Sequence, residues 1–157
     1  MIYVLAILIG IVAGLRAVTP IAALAIGGAL GWIYLEGTTF AFLLAPIALW
    51  LFIAFAAAEI VNDKLPRTPS RKTPPQFGVR ILAGLFAGAC LAVVPNGESL
   101  TYLIAGGIAG GVGAVIGTLG GASLRATLAR AFGRDLAAAL TEDVVAIIGA
   151  LLIVYLA

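Results

Sequence analysis

The fold is decided by residues 99–124, SLTYLIAGGIAGGVGAVIGTLGGASL, a stretch without a single ionisable side chain. Residues 37–58, 81–97 and 144–157 also lack Asp, Glu, Lys and Arg. A helix needs about 20 apolar residues to cross a hydrocarbon core roughly 30 Å thick. The 157-residue chain is 63% hydrophobic, whereas a soluble domain is about half apolar. We therefore predict an all-α, polytopic transmembrane helix bundle.

The hydrophobic pattern predicts five to six segments in one domain covering residues 1–157, namely 2–15, 20–35, 40–61, 79–94, 100–122 and 137–157. Residues 2–35 count as one segment or as two, because the run is broken near Arg16–Pro20. Proline removes a backbone donor and disfavours helix just before it. Each piece beside the break is only about 21–24 Å long at 1.5 Å per residue. The pieces form either a tight helical hairpin or two half-helices, and the sequence leaves open whether residues 2–35 cross once or twice.

The placement of basic residues predicts the orientation. The polar, proline-rich loop at 62–78 and the stretch after the fifth segment are basic, whereas the connections at 36–39 and 95–99 carry only Glu36 and Glu98. Basic loops face the cytoplasm in multi-pass proteins. We therefore predict a protein of the cell (inner) membrane with cytoplasmic basic loops and an external C-terminus.

Glycines recur four residues apart in the fourth and fifth segments, as in Gly84 and Gly88, Gly106 and Gly110, and Gly113 and Gly117. Small residues at this GxxxG-type spacing let helix backbones approach closely in lipid. The pattern predicts tight packing within the chain or between copies, and we expect a homo-oligomer in the bilayer.

Ionisable residues at the segment ends form a candidate ligand-binding or ion-pair cluster: Arg16, Glu59, Asp63, Lys64, Arg125, Glu142 and Asp143. Charged side chains beside membrane segments are costly, and they usually pair or mark a functional site. Glu59 opposes the dipole at the end of its helix and needs a partner. Thr141 is a candidate cap for the sixth segment, which would place the two acidic residues after it in the first turn.

The loop after the third segment is a candidate site for an anion or a lipid headgroup, through Arg67, Ser70, Arg71, Lys72 and Arg80. Guanidinium, ammonium and hydroxyl groups donate hydrogen bonds to phosphate and other anions. The alternative is topological, because basic loops fix orientation and touch anionic lipid in many membrane proteins.

Several classes of chemistry are not indicated. The chain has no His, and its single Cys, Cys90, lies in an apolar run, which argues against a zinc site, an internal disulfide and a His base. A nucleophile elbow and a phosphate-binding loop of the Walker type are absent from the sequence. A net charge of +2 is too small to indicate nucleic acid. We predict no catalytic residue, metal or cofactor; a lipid-headgroup enzyme using carboxylates and a divalent metal is a further alternative.

Three short motifs resemble one family in order along nearly the whole chain. They are Gly14-Leu15-Arg16-Ala17 before a proline, Ala58-Glu59 followed by Asp63-Lys64-Leu65-Pro66, and Glu142-Asp143-Val144-Val145-Ala146. Together they resemble the domain-of-unknown-function 4126 family of small prokaryotic integral membrane proteins. The resemblance implies a membrane topology and a shared set of polar residues, and it implies no activity or cofactor.

The ionisable residues exceed what anchoring requires, so we predict a small transporter or channel-like protein for an anionic solute or lipid phosphate. The arginines would bind the anion, and a carboxylate would carry a coupling proton or cation. The alternative is a non-catalytic membrane scaffold or accessory subunit whose charges are structural ion pairs. A water-accessible cavity touching Arg16 and Glu59 would count against the scaffold, whereas co-purification of a stoichiometric partner would favour it.

Overall fold

The computed structural model describes residues 1–64, 73–94 and 96–157. Within these residues the chain is helical, with no strand. Its α-helices are α1 (Ile2–Leu15), α2 (Thr19–Ala29), α3 (Pro46–Asn62), α4 (Pro74–Val93), α5 (Leu100–Phe132) and α6 (Asp135–Tyr155), with a 3₁₀ turn at Ala41–Leu44 before α3. The prediction of an all-α bundle with a break near Arg16–Pro20 is confirmed.

Three helices are long and apolar enough to cross a membrane, namely α4, α5 and α6, while α1, α2 and α3 are shorter apolar helices. The outer face of α5 exposes Ile104, Ile108, Val112 and Ile116, each at least half accessible. These residues recur every fourth position and so form one continuous apolar stripe. A surface of this kind requires an apolar solvent, and the protein is a polytopic helical membrane protein.

Four helix boundaries differ from the predicted segments by more than three residues. α2 ends at Ala29 instead of 35, and α3 begins at Pro46 instead of 40. α5 continues to Phe132, past the predicted end at residue 122, because Arg125 and Arg130 are good helix formers that lie on partly or fully exposed faces. It ends at Gly133, whose φ of 66° is the left-handed conformation that favours glycine after a helix. α4 begins at Pro74, ahead of the predicted 79, since proline is favoured in the first turn.

The predicted role of Thr141 is wrong. α6 begins at Asp135, and Thr141 lies inside the helix, where its hydroxyl donates to the Ala137 carbonyl at 2.9 Å. Glu142 and Asp143 therefore lie two turns into α6 instead of in its first turn. Both side chains are nearly buried, so interaction with the helix dipole does not account for them.

The chain reverses direction between α1 and α2. Arg16 at the end of α1 contacts Asp143 of α6, and Val12 lies near Gly149 one and a half turns further along α6, so α1 and α6 are antiparallel. α2 instead advances with α6, because Thr19 lies near Ile147 and Gly27 near Val154. α1 and α2 therefore form a helical hairpin that turns at residues 16–18.

α1, α4 and α5 meet through glycines, and this contact is called the glycine interface below. A Cβ added to Gly84 of α4 would lie 2.6 Å from the carbonyl oxygen of Gly110 on α5. A Cβ added to Gly14 of α1 would lie 2.7 Å from the carbonyl carbon of Gly117 on α5. Distances below 3.0 Å leave no room for a side chain, so the backbones of three helices touch directly.

α3 is packed differently, because none of its residues is buried. The connection before it is anchored by Phe40, which packs edge-on against Phe86 of α4 with ring centroids 5.2 Å apart. Beside it the Glu98 carboxylate accepts hydrogen bonds from the Thr39 amide and, at 2.5 Å, from the Thr39 hydroxyl. The connections before α3 and before α5 therefore meet at one end of the bundle.

Candidate functional site

The opposite end of the bundle holds a charge cluster of six ionisable side chains: Arg16, Glu59, Asp63, Lys64, Arg80 and Asp143. It lies where α1 and α3 end and α2 begins. Arg80 is about 9 Å from the start of α4 and Asp143 about 12 Å from the start of α6, at 1.5 Å per residue. The cluster is therefore set inward from the ends of α4 and α6.

Arg16 is the centre of the cluster and is completely buried. Its Nη1 donates to Asp63 at the end of α3, and its Nη2 donates to Asp143 of α6. The guanidinium fork reaches two carboxylates at once because its donors point in fixed, diverging directions. Arg16 therefore joins the α1–α2 hairpin to two other helices through charge-assisted bonds.

Lys64 is the most accessible cation of the cluster, with 22% of its side chain exposed. Its Nζ lies 2.5 Å from the second carboxylate oxygen of Asp143 and donates to the Ile60 carbonyl at 3.0 Å. Asp143 is thus shared by Arg16 on one oxygen and Lys64 on the other. Lys64 is therefore the cation of this pair that can be reached from outside the cluster, whereas Arg16 is buried behind Asp143.

Glu59 and Arg80 satisfy the backbone at the hairpin turn. The Glu59 carboxylate accepts from the amides of Ala17 and Val18, at 2.7 and 2.9 Å, just before α2 begins. Arg80 Nη1 donates to the carbonyls of Gly14 and Leu15, at 3.1 and 2.5 Å, where α1 ends. An anion thus lies at a helix N-terminus and a cation at a helix C-terminus, which is the favourable arrangement for both dipoles.

The prediction that Arg80 belongs to the anion-binding loop is wrong. Arg80 lies inside α4, is 2% exposed, and comes within 4.0 Å of Glu59 and 3.8 Å of Asp63. A signal for this was present in the sequence, because Pro74-Pro75 marks a helix start and puts Arg80 nearly two turns inside. Arg67, Ser70, Arg71 and Lys72 lie outside the described residues, so the loop hypothesis stays a prediction for them.

Thr118 is a polar neighbour that the sequence analysis missed. It is fully buried in α5, and its hydroxyl lies 3.3 Å from the Gly14 carbonyl and 2.8 Å from the Ala114 carbonyl. Its hydroxyl thus sits among the last carbonyls of α1, beside Arg80. A threonine within a glycine-rich apolar run carries no sequence signal that distinguishes this role from ordinary packing.

Arg125 and Glu142 belong to a second group of charges. Arg125 forms a two-pronged contact with Asp135, with nitrogen–oxygen distances of 2.8 and 3.2 Å, and its Nη1 lies 3.9 Å from Glu142. The pair links the late part of α5 to the beginning of α6. The adjacent residues Glu142 and Asp143 thus face different arginines, Arg125 and Arg16.

Among the described residues the formal charges of the cluster cancel, because three cations face three carboxylates. Burying this many charges is expensive, and a buried pair is often no more stable than apolar residues of the same volume. Ionisable side chains at such positions in a membrane protein therefore mark a candidate functional site. Among the described residues no three His, Cys, Asp or Glu side chains come together in an arrangement suited to a metal ion.

A cavity of about 210 Å³ lies between α2, α3 and α6, and neither Arg16 nor Glu59 is among its described lining residues. Its lining is apolar except for Thr19, and it includes Ala23 and Ile26 of α2, Ile53 and Ile60 of α3, and Ile147 and Leu151 of α6. Ile60 is one turn from Lys64, and Ile147 is one turn from Asp143. The Lys64–Asp143 pair therefore stands at one end of the cavity.

The fold and the cluster define a helical membrane protein with a buried ion-pair network. The chain belongs to the family described as Domain of unknown function (DUF4126), whose sequence model matches residues 3–157, and the resemblance seen in the three motifs is thereby confirmed. No curated protein and no solved structure matches the chain. The family description assigns no activity, so the function is argued from the site.

Proposed function

We propose that the protein is a small, non-enzymatic transporter that moves an anion together with a proton. The observation that carries the proposal is the Lys64–Asp143–Arg16 chain, in which one carboxylate is shared by an accessible and a buried cation. An anion that reaches Lys64 competes with Asp143 for the ammonium group. The anion is a solute or a lipid phosphate, as both present oxygens that Lys and Arg bind.

The charge balance of the cluster explains why a proton would move together with the anion. Adding one negative charge to a neutral buried cluster is unfavourable in a low-dielectric surrounding. Uptake of one proton by Asp143 or Asp63 restores neutrality, because protonation removes the negative charge of that carboxylate. The cation that was paired with it can then bind the anion. Anion and proton then enter and leave together, and the cluster stays neutral in both states.

The packing of α3 makes this helix the element that would move during transport. α3 has no buried residue, and its cluster end is attached through Glu59 and Asp63. When a bound anion and a proton exchange these partners, the contacts that hold this end are the ones that change. Gating by helices whose polar contacts rearrange is a common transport device.

The test measures flux in proteoliposomes with two probes. Inorganic phosphate is added outside vesicles that contain a pH-sensitive dye, and a fluorescent lysophosphatidic acid is followed by dithionite quenching. We expect one of the probes to cross faster than in empty vesicles, and Lys64→Gln and Asp143→Asn to lower that rate at least tenfold. Arg130→Gln, an exposed change on α5 outside the cluster, should keep the wild-type rate.

The double variant Lys64→Gln/Asp143→Asn separates transport from a structural role, because it removes one charge of each sign. A purely structural pair predicts that the double variant recovers the behaviour lost in the single variants. The transport proposal predicts a folded protein that remains inactive. Wild-type flux in both single variants, or no flux above empty vesicles with either probe, would refute the proposal.

A second candidate is a non-catalytic scaffold or accessory subunit, and the hairpin turn supports it. Glu59 and Arg80 neutralise the ends of α2 and α1, which is a structural task that needs no ligand. In this case a stoichiometric partner, or a second copy of the chain, co-purifies from gently solubilised membranes. Loss of that association in Lys64→Gln, with no flux of either probe, would favour the scaffold.

A further inference from the structure

We infer that the ligand of the cluster is a single-chain anionic amphiphile, with its headgroup at Lys64 and its acyl chain in the cavity between α2, α3 and α6. This inference rests on the proposed function and specifies its ligand class. It follows from three features of the site: the order of charged and apolar residues along the cavity, a buried hydroxyl without a partner, and access from the protein surface.

The first feature is the order of residues along the cavity. On α3 the lining residues Ile53, Ala56 and Ile60 recur at helical spacing and lead directly to Lys64. On α6 the lining residues Leu151 and Ile147 lead to Asp143 in the same way. The site is therefore charged at one end and apolar along its length, which is the polarity of an amphiphile.

The second feature is the Thr19 hydroxyl. Thr19 is 5% exposed and lines the cavity, and its Oγ1 has no hydrogen-bond partner among the described residues. A buried hydroxyl without a partner costs free energy. An ester or carboxyl oxygen of a ligand would accept the hydrogen bond, at the point where the headgroup of an amphiphile joins its chain.

The third feature is access. Ala57 on α3 and Ile147 on α6 are cavity-lining residues that are exposed at the protein surface. The cavity is therefore reached sideways between these two helices, on a surface that faces lipid. An apolar cavity of 150 Å³ is large enough to take up benzene, so about 210 Å³ has room for a short length of one acyl chain and not for two.

The experiment measures binding in nanodiscs of phosphatidylcholine, using lysophosphatidic acid that carries a photoreactive group on its chain. We expect saturable binding that 1-monoacylglycerol of equal chain length competes for at least tenfold more weakly, and that millimolar inorganic phosphate does not displace. The photoproduct should map to lining residues of α2, α3 or α6. Crosslinks confined to other helices, or equal binding of the uncharged monoacylglycerol, would overturn the inference.

Three variants assign the parts of the site. Lys64→Gln should weaken binding about ten- to hundredfold, as expected for loss of a charged hydrogen-bonding partner. Thr19→Val, which keeps the side-chain shape, should weaken it about two- to tenfold. Ala56→Leu fills the cavity and should abolish chain-dependent binding, whereas Ala54→Leu, on the same helix but outside the lining, should not.

The two experiments can refute the ligand site and the transport proposal independently of each other. Lysophosphatidic acid that binds in the cavity of a protein without flux would remove the transport proposal and retain the ligand site. Strong competition by inorganic phosphate, with binding unchanged in Ala56→Leu, would overturn the amphiphile and leave transport of a small anion standing. If Lys64→Gln does not fold, the crosslink map of the wild-type protein decides.

Discussion

The two sides of this bundle are held together by different interactions. On one side α1, α4 and α5 meet at the glycine interface, where backbones touch. On the other side α3 buries none of its residues, and polar contacts hold it near both ends, through Glu59 and Asp63 at the cluster and through the Thr39–Glu98 contact before it. One side is joined by backbone contact, whereas the other combines ion pairs with the packing of half-buried apolar side chains such as Leu49 and Phe52.

The difference follows from the solvent. In lipid, burying a leucine between helices gains little, because lipid tails are as apolar as the protein. Helices therefore associate either by close backbone contact or by polar bonds. A glycine interface has one arrangement, whereas ion pairs can exchange partners when a proton or an anion arrives. In the proposed function, the charged side is therefore the part of the bundle that admits a ligand.

The largest expected effect comes from breaking the charged side at its centre. Arg16→Gln leaves Asp63 and Asp143 without their shared buried cation, and we expect a loss of about 3–5 kcal/mol in the free energy of unfolding. Unfolding in mixed micelles with increasing denaturing detergent measures it. Arg130→Gln should stay within about 0.5 kcal/mol of wild type, and an equal effect of the two changes would contradict the role given to the cluster.

A smaller effect is expected from one methyl group in the glycine interface. The Cβ of Gly110→Ala would overlap the carbonyl oxygen of Gly84 and lie 2.9 Å from the Gly88 Cα, and such overpacking costs about 1–3 kcal/mol or more. The same detergent titration measures the loss. Gly120→Ala, on the same helix, has no atom within 4 Å of its Cβ, so it should instead be neutral or stabilising through helix propensity. Equal losses would show that the interface is not closely packed.

The smallest effect concerns the polar contact before α3. Hydrogen bonds from the Thr39 hydroxyl and amide hold the pKa of Glu98 below its usual value of 4.5. A lowered folded-state pKa gives a stabilisation that is complete above the unfolded pKa and is lost as the pH falls through the folded pKa. We therefore expect the melting-temperature advantage of wild type over Glu98→Gln to shrink as the pH is lowered below about 4.5.

The comparison with Glu98→Gln cancels the titration of the charge cluster, which both proteins share. An advantage that stays constant from pH 7 to pH 3, or that grows on acidification, would contradict the contact.

The sequence predicted the helices well and their partners incompletely. The absence of charge marked the membrane segments, and Pro20 marked the hairpin turn, because both act locally. The sequence placed Arg16, Asp63 and Asp143 in one candidate cluster. It could not single out these two carboxylates as the partners of Arg16, since they are 47 and 127 residues away and the chain offers seven acidic residues. Arg80 was assigned to the loop because basic and polar residues precede it in the sequence. The two prolines at 74 and 75, which begin α4, place it inside a helix instead.

The separation of Arg16 from its two carboxylates has a consequence for biogenesis. Synthesis proceeds from the N-terminus, so Asp63 emerges well before Asp143, which belongs to the last helix. Until α6 is made and inserted, the guanidinium has only one of its two acidic partners. The ion-pair network of the hairpin is therefore completed only after insertion of α6, which makes this insertion a late step in assembly.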